Sequence, residues 1–233
     1  MDLIRNFEDN IRLSITDIIK EIILSSEKVD ISAKSRAGAE ISDWLEERFV
    51  IEAQKKSFID KVEGAPKGKT KNPWDARCFL SHEGHSEEIW IDFKAFKITS
   101  LDSNPDIGTP NKIIDFINRG GFYLLYIHVY YEEIEEGLRF LKFHGDFVKS
   151  YFLKDISKTF RRTPTNQLQV NILAKPEYRT REEFIELLMQ KVEEGLIRQL
   201  KKAEKKITEI KVRKNEMISN NKKSEKTILS NLK

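Results

Sequence analysis

Residues 71–98 read KNPWDARCFLSHEGHSEEIWIDFKAFKI, and the fold turns on how this stretch pairs with itself. Two apolar-rich runs flank a polar, glycine-containing break at His82–Ser86, the form of a β-hairpin. In the second run, Ile89, Ile91, Phe93 and Ala95 fall on one face by the two-residue period of a strand. Trp90, Asp92, Lys94 and Phe96 fall on the other. Asp92 and Lys94 then point the same way, about 7 Å apart along the strand. With the turn centred near Gly84, Asp75 lies almost opposite Asp92 on the neighbouring strand. The hairpin thus gathers two carboxylates and an ammonium onto one small patch.

Carboxylates converging from adjacent strands suit a hard divalent cation, which prefers oxygen ligands. A lysine beside them can orient or deprotonate a water, or steady negative charge at a reacting phosphate. The acid-x-Lys triplet alone says little. It recurs at Glu204–Lys206 and Glu209–Lys211, in a charged helical run. An exposed cross-strand ion pair is the plainer reading of Asp92 and Lys94 in isolation. The apolar, aromatic strand around them and the second acid at hairpin distance favour a metal-dependent nuclease site.

A chain of 233 residues fits one domain with a real core. Hydrophobic content of 39% with 14 Phe is that of a globular protein. A net charge of +3 permits nucleic-acid binding, and the distribution says more than the sum. Lys67, Lys69 and Lys71 crowd ahead of Asp75, and lysines cluster again after Lys201. The single cysteine, Cys78, excludes an intrachain disulfide, so a reducing cytoplasm is expected. Cys78 reads as core, not as a nucleophile. No signal peptide and no apolar run of membrane-spanning length are visible, so no membrane partner is expected.

Taken in order, residues 3–24 carry a helical apolar stripe at Ile4, Phe7, Ile11, Ile15, Ile18 and Ile22. It packs on the core or, alternatively, forms a dimer seam. Residues 34–50 predict a second helix, with Ile41, Leu45 and Phe49 as its apolar stripe. Among its acids, Glu40 lies beside Ala37, Gly38 and Ala39, which permit close approach to the hairpin. Glu46 and Asp43 read as parts of a solvated face. Residues 63–72 read as a loop whose lysines face phosphates if DNA lies over Asp75. Residues 99–109 form a polar loop, 111–118 a short helix, and 122–131 a central strand covered on both faces. His128 within that strand reads as a core histidine. Residues 138–143 and 151–153 are further strands.

Residues 167–172 alternate, with Leu168, Val170 and Ile172 against Gln167, Gln169 and Asn171, and predict a strand with a face of carboxamides. Such groups can bond adenine N7 and N6 together in the major groove. An ordinary solvent face explains them equally well, although Arg161, Arg162 and Lys175 lie nearby. With Ser103, Asn104 and Asn111 from the polar loop, these are the candidate DNA contacts. Residues 180–214 form one long helix, and the basic tail at 215–233 is expected to fray.

The segments SRAGAEISDWLEERFV, GAPKGKTKNPWDARC, EEIWIDFKAFKIT, DSNPDIGTPNKI and QVNILAKPEYRTREEFI run from Ser35 to Ile185. In them the chain resembles the SwaI-like type II restriction endonucleases of the PD-(D/E)xK superfamily. That pattern usually has proline where this chain has Trp74, with Pro73 one residue earlier. The resemblance implies a homodimer that cuts both strands of a palindrome with Mg²⁺, paired functionally with a cognate DNA methyltransferase. It implies an A·T-only octamer cut to blunt ends. It places Asp75, Asp92 and Lys94 in the catalytic set, with Glu40 as the helical glutamate that the superfamily often adds. Metal contacts are expected from Asp75, Asp92 and the Phe93 carbonyl. The expected fold is one α/β domain over residues 1–214, a central mixed sheet flanked by helices, with a helical C-terminal extension. The rivals are a structure-specific repair or junction nuclease and a non-catalytic DNA-binding or coiled-coil protein.

Overall fold

The computed structural model describes residues 2–26, 29, 31, 37–66, 74–82, 84–100, 104–135 and 137–231. Strand β1 (Ile59–Gly64) pairs antiparallel with β2 (Ala76–His82), and β2 pairs antiparallel with β3 (His85–Lys97). β3 runs parallel to β4 (Tyr123–Ile134). The far edge of β4 is shared by β6 (Val148–Phe152) along its first half and β5 (Gly137–Leu141) along its second, both antiparallel. The result is the mixed sheet flanked by helices that the sequence predicts. β1 was not anticipated, and only its last two residues, Glu63 and Gly64, fall in the stretch read as a loop. Its short run is polar on one side, and a bulge between Asp60 and Glu63 blurs its alternation.

The two-residue alternation of β3 and β4 divides the interior into two cores. Ile89, Ile91 and Phe93, with Leu125, Ile127 and Val129 of β4, pack under helices α1 (Leu3–Leu24) and α2 (Ala37–Ala53). Trp90 and Leu124 point to the other side, against α3 (Pro110–Asn118) and the start of α4 (Arg181–Asn231). β4 is thus covered on both faces, as its unbroken apolar run predicts. The stripe of α1 is buried within the same chain through Ile11, Ile15, Ile18 and Ile22, so it is core and not a dimer seam.

Two expectations are corrected. Residues 167–172 do not form a strand of that length. Only Leu168–Gln169 pair, with Arg161–Arg162, as the small sheet β7–β8. The alternation survives as burial, with Leu168, Val170 and Ile172 inside, but turns at residues 171–174 replace the ladder. The tail beyond residue 214 is not frayed. Helix α4 continues to Asn231, because its sequence is rich in strong helix formers and lacks proline. Its N-terminus has the expected capping box, with Thr180 and Glu183 bonded reciprocally.

α1 is tied to the far side by a buried charge network. Lys154, in the 3-10 turn Leu153–Asp155, lies 2.8 Å from Glu8 and 2.9 Å from Asp155, and all three are almost fully buried. Removing one partner of a buried pair leaves an uncompensated charge. Lys154→Met is therefore expected to destabilise the fold by about 3–5 kcal/mol, measured by urea unfolding.

Candidate active site

Pairing in the β2–β3 hairpin runs from His82 opposite His85 to Ala76 opposite Ile91. Gly84 turns the chain with a φ of +81°, a conformation glycine adopts freely. One step past Ala76, Asp75 faces Asp92. The Asp75 amide donates to the Ile91 carbonyl at 2.9 Å, and the Phe93 amide donates to Asp75 Oδ2 at 2.7 Å. Lys94 Nζ donates to Asp92 Oδ1 at 2.5 Å. The three groups singled out in the sequence therefore meet on one face of the sheet. At the position where the sequence pattern usually has proline, Trp74 is buried, 6.5 Å from the ring of Trp90. Cys78 is fully buried, and burial pushes its thiol up to about 12, so it is core. His128, opposite Lys94 on β4, is also fully buried. Burial, with the charges of Lys149 and Lys94, lowers it to about 3 and keeps it neutral.

Burial raises Asp75 to about 7, and the negative charge of Asp92 adds to the effect. Burial works to lower Lys94, but the carboxylates of Asp92 and Asp75 outweigh it and hold the amine above its ordinary value. Lys94 is therefore an ammonium. Asp75 and Asp92 form a desolvated pair that a cation would relieve. Among the described residues no group of three or more His, Cys, Asp or Glu is placed to hold a metal ion. A carboxylate pair fits Mg²⁺ nonetheless, since that ion commonly takes one or two carboxylates and completes its shell with water and substrate phosphate.

α2 lies against the site from the other side of the sheet. Gly38 sits where an added Cβ would stand 3.3 Å from the Ala95 carbonyl. One turn on, Ser42 Oγ donates to the Phe93 carbonyl at 3.0 Å. One turn further, Glu46 Oε1 accepts from the Ala65 amide at 2.8 Å, and the charge of Glu46 is felt at Asp75. A Cβ on Gly64 would approach Glu46 Oε1 to 2.5 Å, so the glycine makes room for this carboxylate. The α2 acid at the site is thus Glu46, whereas Glu40 was expected. Gly38, Ser42 and Glu46 recur every fourth residue, a stripe of two small residues and an acid that is legible in the sequence.

A cavity of about 430 Å³ opens beside the triad, lined by Asp75, Asp92, Lys94, Asp106, Lys112 and Gln167 among others. Asp106 lies in the loop 102–111 expected to contact bases, although it was not singled out there. It bridges to Gln169 in the backbone, and Gln169 Nε2 donates to its Oδ1 at 2.6 Å. The Tyr126 hydroxyl bonds the Ile107 carbonyl, which anchors this loop to β4. Of the other candidate DNA contacts, Asn104, Asn111 and Arg161 are exposed. Arg162 is engaged within the chain. Its Nε donates to Asn166 Oδ1 at 2.8 Å, and its stem lies against Gly195 of α4. Asn171 caps its own turn by accepting from the Leu173 amide at 2.9 Å. Lys67, Lys69, Lys71 and Ser103 lie outside the described residues.

The family model described as SwaI-like, SwaI restriction endonuclease, matches residues 3–210. The chain belongs to the SwaI-like restriction endonuclease family. It is a nuclease whose substrate is DNA. A solved structure titled NlaIV restriction endonuclease is similar at a TM-score of 0.49 and 15% identity, covering 77% of this chain and 78% of that one. No curated protein sequence matches. No helix among the described residues is long and apolar enough to cross a membrane.

The raised Asp75 makes the stability of this SwaI-like enzyme depend on pH. An unfolded aspartate ionises near 3.8, while the folded one holds its proton up to about 7. Between those values the folded state binds more protons, so stability falls as pH rises through that window. The metal-free thermal midpoint is expected to drop between pH 5 and pH 7.5, and Asp75→Asn is expected to remove part of that drop.

Proposed function

We propose that the chain is a type II restriction endonuclease that makes Mg²⁺-dependent double-strand cuts at a short palindrome. By the family resemblance the site is an A·T-only octamer cut to blunt ends. The observation that carries the reading is the convergence of Asp75, Asp92 and Lys94 on one face of the β2–β3 hairpin. Asp75, Asp92 and the free lone pair of the Phe93 carbonyl would hold the ion. Bound there, Mg²⁺ supplies Lewis-acid stabilisation of the phosphate and lowers the pKa of a water. Lys94, held protonated, orients the attacking water and stabilises charge that builds on the phosphorus oxygens. Ser42 fixes the Phe93 carbonyl, and Glu46, not Glu40, supplies the helical carboxylate. The products carry 5′-phosphate and 3′-hydroxyl ends. Two copies act on one duplex, and a cognate methyltransferase protects host DNA in the prokaryotic cytoplasm.

Base reading falls to the loop after the catalytic strand. Asp106 orients the Gln169 carboxamide at the edge of the cavity, with Gln167 beside it. Arg161, Asn104 and Asn111, with Lys67, Lys69, Lys71 and Ser103, would meet the DNA. Arg162 and Asn171 are withdrawn from direct reading, because both serve internal bonds.

The test is digestion of genomic DNA by the purified protein with Mg²⁺ or EDTA, followed by sequencing of fragment ends. Discrete fragments with one end sequence, only with Mg²⁺, are the expected result. Cutting of branched DNA alone would make the chain a structure-specific nuclease. Asp92→Ala and Lys94→Ala are each expected to lower the cleavage rate by at least about 10²–10³. Near-normal cleavage by Asp92→Ala would overturn the mechanism. Glu46→Gln is expected to slow cleavage well below the rate of Glu40→Gln, measured in parallel. Gln169→Ala is expected to lose about 1–3 kcal/mol of discrimination against single-base variants of the site.

A further inference from the structure

Helix α4 packs on the body through its first turns, up to Gln199, whose side chain donates to the Pro164 carbonyl. From Leu200 onward every described side chain whose burial is assigned is exposed. The helix runs on to Asn231, about 45 Å past the body at 1.5 Å per residue. Along it, Leu196, Leu200, Ala203, Ile207, Ile210, Lys214 and Met217 recur at alternating steps of four and three. Their period is 3.5, that of a coiled-coil seam. The large apolar ones are half or more exposed, Ile210 at 65% and Met217 at 71%. Lys214 and Asn221 take the polar seam positions that set register and strand number in such pairs. Much of this stretch lies beyond residue 210, where the family match ends.

We infer that this seam is covered by α4 of a second copy of the chain, running antiparallel. The inference rests on the reading above that two copies act together, and it assigns them a surface. The seam is self-complementary when reversed about residues 208–209. Ile207 then meets Ile210 of the second copy, Leu200 meets Met217, and the long Lys214 lies over the small Ala203. The flanking edge agrees, with Ile197 facing Ile218 and Glu204 facing Lys211. A parallel pairing instead stacks Lys214 on Lys214 of the second copy inside the seam, while both orders set Lys206 against a like charge on the flank, Lys211 in parallel and Arg213 in antiparallel. The antiparallel overlap of residues 196–221 extends about 38 Å. On the opposite edge Lys206 and Arg213 of both copies form a cationic strip. DNA is excluded as the occupant of the seam itself, because the seam is apolar.

Sedimentation equilibrium on the full chain at micromolar concentration tests this. Wild type is expected at twice the 27.3 kDa chain mass, and Ile207→Asp combined with Ile210→Asp at the chain mass with its thermal midpoint nearly unchanged. Orientation is tested by oxidation. Ile207→Cys chains mixed with Ile210→Cys chains are expected to cross-link with each other, and each alone far less. A monomeric wild type, or a double variant that stays dimeric, overturns the interface. Strong cross-linking by Ile207→Cys alone overturns the antiparallel order. Cleavage is assayed on the same samples. A wild type that cuts as a monomer defeats both this interface and the two-copy reading, a double variant that stays dimeric and cuts defeats this interface alone, and a dimer through α4 that never cuts DNA defeats the catalytic reading alone.

Discussion

The structure depends on β3 being paired on both of its edges. β2 holds it in antiparallel register through the hairpin, and β4 holds it in parallel register along Ile89–Lys97. A strand so pinned cannot slip by one residue without turning every apolar side chain to the wrong core. Ile91 and Phe93 are committed to the α1–α2 side and Trp90 to the α3–α4 side. Asp92 and Lys94 are thereby held on the second side, where no helix covers them fully. The side-chain exposures of 14% for Asp92 and 29% for Lys94 reflect a site that is part desolvated and still open.

That placement has an electrostatic consequence. Asp75 is brought beside Asp92 by backbone pairing, not by attraction, and both lose water in the process. The fold brings together two acids whose charges would repel, so Asp75 keeps its proton up to about 7 and Lys94 compensates Asp92. Such strain is tolerated because the β3 ladder and both cores over-determine the hairpin. A bound cation, as proposed for this site, would relieve that state.

The approach from α2 shows how the two sides communicate through the sheet. Ser42 bonds the carbonyl of Phe93, a residue whose side chain belongs to the α1–α2 core and whose neighbours Asp92 and Lys94 face the opposite side. Glu46 reaches the end of β1, beside Asp75. The sheet edge, not either face alone, is where helix and hairpin chemistry meet.

Much of this is legible in the chain. The hairpin, its register about Gly84 and the two faces of β3 follow from alternation and one turn, both local properties. The buried strand at residues 123–134 and the capped start of α4 are local as well. Which helical acid reaches the site is not, because the small residues beside Glu40 favour it, Glu46 reads as solvated, and only the packing of Gly38 on Ala95 sets the helix rotation. The alternation at residues 167–172 predicts the right burial and the wrong ladder, since strand pairing needs a partner edge and β7 offers only two residues. Sequence by itself determined the triad and the sheet that bears it, because a two-residue period and a two-residue turn act over neighbours. Only the tertiary structure decided the choice of Glu46, the pairing of Gln169 with Asp106 and the free seam of α4. Those depend on contacts, or on their absence, between segments far apart in the chain, and a local pattern such as the Gly38–Ser42–Glu46 stripe does not by itself say what it will face.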